Sequence, residues 1–411
     1  MLGVLETESE MFSFKTIYTA YIECRKNKRN THNALEFEMD LVQNLWQLHS
    51  DLNRGVYKIG RSICFLTTSP KLREVFAADF RDRIVHHILV KELERVFEPK
   101  FISDVYNNRK GKGIHNAMKK AQSYMNATYG GYYLQLDIKG FFYNLDKDVL
   151  CKQVVTRFCV KHTMTESASH HSEPSRHSEL DSESNNKTPS QAESDRVFDI
   201  NSYLNLAKQI IHHNPTKNYI FKGDKTKLKL FPAHKTLFKI PEHKGLPIGN
   251  LTSQFFANIY MNDFDNYVKR VLKVKHYIRY VDDFVLFDNS KERLQKLYKE
   301  IQMYLKKNLD LELRADTKLQ KHSQGLDFLG YIIRENYVLS RKRVVNNYKQ
   351  KKAKYLQNYE EKKGKMSLEE IKLFLSLQAS FASHIKHANS YNLLNKIGVL
   401  NESNPFDYDR A

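Results

Sequence analysis

From Tyr277 to Leu286 the chain reads Tyr-Ile-Arg-Tyr-Val-Asp-Asp-Phe-Val-Leu. Two runs of aromatic and β-branched residues flank two adjacent carboxylates, a pattern that predicts strand, tight turn, strand with the acids at the turn. A second apolar run, Tyr132-Tyr-Leu-Gln-Leu-Asp-Ile-Lys-Gly-Phe-Phe142, predicts a strand ending at Asp137. Elsewhere the apolar positions recur at helical spacing. Residues 11–55 read as helical, with Leu35, Phe37, Leu41, Leu45 and Leu48 as an apolar stripe between Asn33 and Leu52. Arg81 to Phe97 predicts an amphipathic helix with Ile84, Val85, Ile88, Leu89, Leu93 and Val96 on one face. A helix over 200–213 should stop at Asn214-Pro215, and a basic, loop-rich stretch follows to Lys244. The lysine-rich segment 345–365 predicts a charged helix, and 367–398 predicts final helices with a small core from Leu373, Leu375, Leu377, Phe381 and Ile385.

Thr163 to Ser194 breaks these patterns. It is rich in Ser, His, Glu and Asn, with six acids against two Lys or Arg. Such a composition buries too little apolar surface to offset chain entropy, so disorder is expected over 163–195. His170, His171 and His177 read as part of a solvated tract rather than a metal site.

Composition bounds the partner. The 411 residues are enough for two or three domains, and the net charge of +19 calls for a polyanionic partner. Tyrosine and phenylalanine occur 24 times each, which provides core and, among basic residues, surfaces for base stacking. The basic cluster Arg25-Lys-Asn-Lys-Arg29 reads equally as a solvated face or an RNA contact. Cys24, Cys64, Cys151 and Cys159 lack Cys-x-x-Cys spacing, which argues against a zinc ribbon and a disulfide framework. Met1 to Glu10 carries acids rather than a basic start and apolar run, and no stretch has the ~20 apolar residues of a membrane span. A cytoplasmic location without membrane contact is expected.

An Asp-Asp pair at a turn also reads as a solvated Asx-turn, and a lone Asp after a strand as a helix N-cap. Two strand-end carboxylate sites in one basic chain point instead to two-metal phosphoryl transfer. Their company is specific. Leu134–Phe142, Gly245-Leu-Pro-Ile-Gly-Asn-Leu-Thr-Ser-Gln254, Tyr280–Asp283 and Leu326-Asp-Phe-Leu-Gly330 resemble successive reverse transcriptase motifs. Lys71–Arg83, Asn108-Arg-Lys-Gly-Lys-Gly113 and Lys386–Tyr391 extend the resemblance over nearly the whole chain outside the insertion. Within that superfamily the chain most resembles the enzymes of diversity-generating retroelements and related defence-associated bacterial enzymes. Its Ile-Gly-Asn-Leu-Thr-Ser-Gln element is typical of that group.

The resemblance implies an α+β right-hand polymerase fold with fingers, a palm built on an antiparallel sheet, and a helical thumb. The expected division is an N-terminal helical extension (1–55), fingers (56–132), first palm part (133–162), insertion (163–195), connection (196–244), palm with the Asp-Asp hairpin (245–338) and thumb (339–411). It implies two Mg²⁺ ions, with Mn²⁺ as a substitute, on Asp137, Asp282, Asp283 and the carbonyl of Ile138. The catalytic set is Asp137, Asp282 and Asp283. Lys71, Arg73, Arg81 and Arg83 are the implied triphosphate contacts, with Arg83 the best match to the motif. Phe142 would exclude a ribose 2′-hydroxyl, Ile248, Gly249 and Gln254 would line the nascent base pair, and Lys318 would protonate pyrophosphate. Arg109, Lys110 and Gly111 are expected at template or nucleotide, and Leu329 and Gly330 at the primer.

The implied activity is RNA-directed DNA synthesis, error-prone as in diversity-generating retroelements, where an apolar Ile248 replaces a hydrogen-bonding Gln. Partners would be a structured noncoding or template-repeat RNA, a DNA or RNA primer, deoxynucleoside triphosphates, and a small basic accessory protein or a second copy. The rival readings are an anti-phage defence enzyme with a dedicated noncoding RNA, a retron or group II intron type, and an inactive RNA-binding palm. A retron or intron type fits least, because the second motif departs from theirs and no maturase-like tail follows the thumb. No nuclease pattern follows the thumb either.

Overall fold

The computed structural model describes residues 12–26, 28–68, 71–168, 189–390 and 393. In chain order its elements are α1 (Phe14–Arg25), α2 (His32–Met39), α3 (Leu41–Asn53), β1 (Ser62–Thr67), β2 (Arg73–Ala77), α4 (Phe80–Phe97), α5 (Ile114–Ala127), β3 (Tyr132–Asp137), α6 (Phe141–Asn144), α7 (Lys147–Ala168), α8 (Pro189–His212), β4 (Tyr219–Lys222), α9 (Leu251–Asn266), β5 (His276–Tyr280), β6 (Asp283–Asp288), α10 (Lys291–Leu309), β7 (Lys318–Lys321), β8 (Leu326–Phe328), β9 (Tyr331–Ile333), β10 (Val338–Ser340), α11 (Lys342–Glu361) and α12 (Leu368–Ile385). Two compact units form. Among the described residues, the first draws on 1–103, 138–271 and 302–312, and the second on 104–137, 272–301 and 313–411.

The first unit joins helices to a three-stranded sheet of order β2-β1-β4, antiparallel at β1/β2 and parallel at β1/β4. Helix α4 is its spine, and its whole predicted apolar stripe is buried. Asp79 caps it by accepting from the Arg81 amide, as a carboxylate at an exposed helix start should.

The second unit holds a four-stranded, fully antiparallel sheet of order β5-β6-β3-β7. Side chains alternate across a strand, so Tyr133, Val285 and Phe287 face one side, and Leu134, Leu136, Phe284 and Leu286 face the other. The first face packs on Ala117, Met118, Ala121 and Met125 of α5 and on Leu326, Phe328, Tyr331 and Ile333 of the β8-β9-β10 sheet. In α11 and α12, Val345, Tyr348, Phe381 and Ile385 form a separate small core, with Tyr348 and Phe381 stacked at 3.9 Å.

Three expectations are corrected. The single stripe from Asn33 to Leu52 is two helices broken at Asp40, and Leu35 is exposed. Leu35 and Phe37 are two residues apart and cannot share a helical face. Leu373 and Leu375 are exposed as well, while Leu377 packs beside Phe381 and Ile385; Leu375 is off that i, i+4 face, whereas Leu373 is on it but one turn ahead of the packed cluster. The segment expected to lack structure over 163–195 is helical at both ends, since α7 runs through Ala168 and α8 begins at Pro189. Proline fits a first helical position, where its missing N–H is not needed. Residues 169–188, with His170, His171 and His177, lie outside the described residues, as does the chain beyond Ser390 apart from Leu393.

Candidate active site

The carboxylates converge because of strand register. Asp137, the last residue of β3, pairs with Asp283, the first of β6. Directly opposed antiparallel residues have Cα atoms about 4.5–5.5 Å apart. Pairing of Tyr280 with Asp283 leaves Val281 and Asp282 as a two-residue loop, so Asp282 sits beside the pair. Asp137 does not cap the following helix, whose N-cap is Gly140.

Burial pushes the Asp283 carboxyl up to about 7. The Gln135 amide opposes this, the neighbouring Asp137 and Asp282 charges reinforce it, and Arg341 opposes it again. Gln135 Nε2 lies 3.2 and 3.4 Å from the two Asp283 oxygens and also donates to the Asp327 carbonyl at 3.0 Å. Asp327 in turn pairs with Arg341. Arg314 lies on the other side of the site. Its Nε is 3.7 Å from Asp137 Oδ2, it forks onto Asp316 at 2.8 and 2.9 Å, and its amide donates to the Asp137 carbonyl.

Three mutually repelling carboxylates with oxygen donors only suit a hard cation such as Mg²⁺. Among the described residues no three His, Cys, Asp or Glu side chains close around a point by themselves. Mg²⁺ is commonly bound by one or two carboxylates, with water and substrate phosphate completing its shell.

The proposed nucleotide contacts lie in the first unit. Lys71 and Arg73 are exposed where the chain enters β2. Arg83 donates from Nε to the Ala78 carbonyl at 2.8 Å. Arg81 is engaged by Asp51 at 2.5 Å and lies over the Tyr57 ring at 5.0 Å, so its guanidinium is committed within the fold. The Ile248 carbonyl accepts from the Phe76 amide at 2.9 Å, and Asn250 Oδ1 accepts from the Ala78 amide at 2.9 Å. Gly249, at φ 123°, passes so near β2 that a Cβ would meet Val75 Cγ1 at 2.7 Å. Ile248 packs beside the buried cluster of Cys64, Phe76, Tyr143 and Leu237. Phe141 is buried, and Phe142 beside it is half-buried. Gln254 is exposed on α9.

The remaining candidates lie in the second unit. Lys318 is exposed on β7, paired in register with Gln135. Leu329 and Gly330 both have positive φ and form the two-residue loop between β8 and β9, the geometry of a type I′ hairpin. Arg109 donates to the Val105 carbonyl at 3.2 Å, while Lys110 and Gly111 are exposed at the loop tip. Sequence reasoning passed over Gln135, Arg314, Asn107 and Arg279. Gln135 and Arg279 had a signal, as lone polar residues inside otherwise apolar strands. Arg314 and Asn107 had none, because their roles depend on segments distant in sequence.

Residues 201–333 match the family model described as reverse transcriptase (RNA-dependent DNA polymerase). That stretch contains Asp282, Asp283 and the Gly245–Gln254 and Leu326–Gly330 motifs, and Asp137 precedes it. The chain is 26% identical over 351 residues to the group II intron-encoded protein LtrA of Lactococcus lactis subsp. cremoris, covering 77% of this chain and 54% of that protein. It is 23% identical over 357 residues to protein YkfC of Escherichia coli (strain K12), covering 77% of this chain and 78% of that one. The chain thus spans about half the length of the intron-encoded protein it matches. Among solved structures, apo telomerase from Candida tropicalis aligns with a TM-score of 0.42 at 13% identity, over 84% of this chain and 62% of that one. Telomerase from Candida albicans in complex with a fragment of telomeric RNA aligns with a TM-score of 0.40 at 12% identity, over 83% and 59%. Residues 201–333 therefore resemble a reverse transcriptase domain, within a chain of mixed helices and sheets.

Proposed function

We propose that this protein is an RNA-directed DNA polymerase that extends a primer on an RNA template. The observation that carries the reading is the register pairing of Asp137 with Asp283, with Asp282 in the adjoining loop, inside a chain that matches the reverse transcriptase family. Asp137 and Asp282 would hold two Mg²⁺ ions together with the Ile138 carbonyl, and Asp283 would orient them. When bound, the ions lower the pKa of a primer hydroxyl and neutralise charge on the triphosphate. Mn²⁺, with similar oxygen preference, would substitute.

The chain's own groups do the rest. Lys71, Arg73 and Arg83 would grip the triphosphate as point charges and a planar fork. Arg81 is the weaker candidate, since Asp51 already holds it. Phe142 would abut the deoxyribose, and Gly249 would let the Leu246–Gln254 segment approach the base pair. Lys318 would donate a proton to pyrophosphate, and Arg314 would supply positive charge beside Asp137. Arg109, Lys110, Leu329 and Gly330 would track template and primer. A charge of +19 suits an RNA partner. Among the described residues no helix is long and apolar enough to cross a membrane.

The Gly245–Gln254 motif and Ile248 support an error-prone enzyme of the diversity-generating type. Purified protein with structured RNA, primer, deoxynucleotides and Mg²⁺ should synthesise cDNA. Asp282→Asn should abolish synthesis while leaving RNA binding and the thermal melt intact. Undiminished synthesis by that variant would overturn the metal assignment.

A further inference from the structure

The loop that carries Asp282 has a conformation its own sequence disfavours. Val281 has φ 59° at the first position of a two-residue hairpin loop, a place that type II′ geometry reserves for glycine. A β-branched residue at positive φ is a steric outlier and persists only where the surroundings over-determine it. Two groups from outside the loop hold it. The Val281 amide donates to Asn107 Oδ1 at 3.0 Å, and the Val281 carbonyl accepts from Arg279 Nη1 at 2.9 Å. Both are buried, Asn107 at 2% exposure and Arg279 at 0%.

The brace is itself anchored. The Arg279 amide donates to the Asp104 carbonyl at 3.0 Å, and the Arg279 carbonyl accepts from the Tyr106 amide at 3.0 Å. Asp104 accepts from the Tyr124 hydroxyl of α5 at 2.7 Å. The segment 104–107 therefore runs beside β5 as a short parallel bridge and presents Asn107 to the loop.

We propose that Asn107 is a positioning residue for the Asp282–Asp283 carboxylates, acting by fixing the left-handed conformation of Val281. Without its acceptor, Val281 relaxes toward negative φ and the next residue, Asp282, turns out of line with Asp137. Glycine at 281 adopts positive φ without strain and makes the brace dispensable. The role in catalysis rests on the polymerase reading, whereas the loop conformation does not.

The test is a double-mutant cycle of Asn107→Ala and Val281→Gly, read by primer extension and by hydrogen exchange of the loop amides. Asn107→Ala should speed exchange at Val281 and lower kcat about tenfold, the scale of one lost buried hydrogen bond, with the KM for nucleotide little changed. In the Val281→Gly background the same substitution should cost less than about threefold, giving strong non-additivity. If Asn107→Ala fails to fold, Asn107→Asp, which keeps the acceptor oxygen, should retain Val281 protection, and fast exchange there overturns the brace. A wild-type kcat with an unprotected loop overturns the catalytic role, and equal losses in both backgrounds overturn action through Val281. If the wild-type protein makes no cDNA, the polymerase reading fails, and exchange at Val281 alone decides the brace.

Discussion

Replacing Asp283 with asparagine should stabilise the metal-free protein, increasingly so as pH rises. The Asp283 carboxyl is pushed from 3.8 up to about 7, chiefly by burial and further by Asp137 and Asp282. Between those values the folded protein keeps a proton that the unfolded chain has released. The contribution of Asp283 to stability is therefore fullest below pH 3.8, erodes as pH rises toward about 7, and is level above that. From about pH 5 to pH 8 the wild-type protein should lose roughly 3 kcal/mol through this group, at ~1.36 kcal/mol per pH unit up to its folded pKa. Asparagine does not titrate and its oxygen can still accept from Gln135, so the variant lacks that loss. The gap in stability between variant and wild type should widen by about 3 kcal/mol over that range, or roughly 3–4 °C in Tm for a chain of 411 residues. The assay is thermal unfolding of both proteins in chelator across that pH range. Mg²⁺ at the upper end should then raise the wild-type Tm more than the variant's, because the ion binds the ionised carboxylates. A gap that stays constant with pH would refute the argument, because it would mean that Asp283 ionises as freely in the fold as in the unfolded chain.

The other predictions concern the nucleotide side and the RNA. Gly249→Ala should cost about 1–3 kcal/mol in a urea melt and raise the KM for nucleotide, since its Cβ would strike Val75 at a φ that alanine avoids. Ile248→Gln should raise copying accuracy in sequenced cDNA, by up to tenfold if the amide adds ~1.4 kcal/mol of discrimination, while lowering Tm through its contact with the apolar cluster at Phe76 and Tyr143; indistinguishable error spectra would make Ile248 a packing residue only. RNA affinity, measured by filter binding, should fall steeply with salt, with a log–log slope near −0.7 per phosphate neutralised on single strands. A flat slope would contradict the argument from charge.

The strands and most helices were legible because their signals are local. Tyr132–Asp137 and Tyr277–Leu286 alternate or run apolar over the length of a strand, and α4 carries its stripe at strict helical spacing. Where apolar residues fell two apart, as at Leu35 and Leu375, local reading overcounted the core, because hydrophobicity alone does not fix which side of a helix finds a partner. Composition misjudged the ends of the 163–195 segment, since a few good helix formers can extend an established helix through otherwise polar sequence.

The sequence by itself singled out Asp137, Asp282 and Asp283 as the candidate carboxylates, because each ends or joins a strand in a recognisable motif. Only the tertiary structure decided what those acids experience. The register of β3 against β6 places Asp137 opposite Asp283. The Gln135 amide, the Asp327–Arg341 pair, Arg314 and the Asn107–Arg279 brace come from segments far apart in the chain. Local sequence sets backbone preference, whereas burial, charge proximity and hydrogen-bond direction depend on which distant segments the fold brings within a few ångströms of each other.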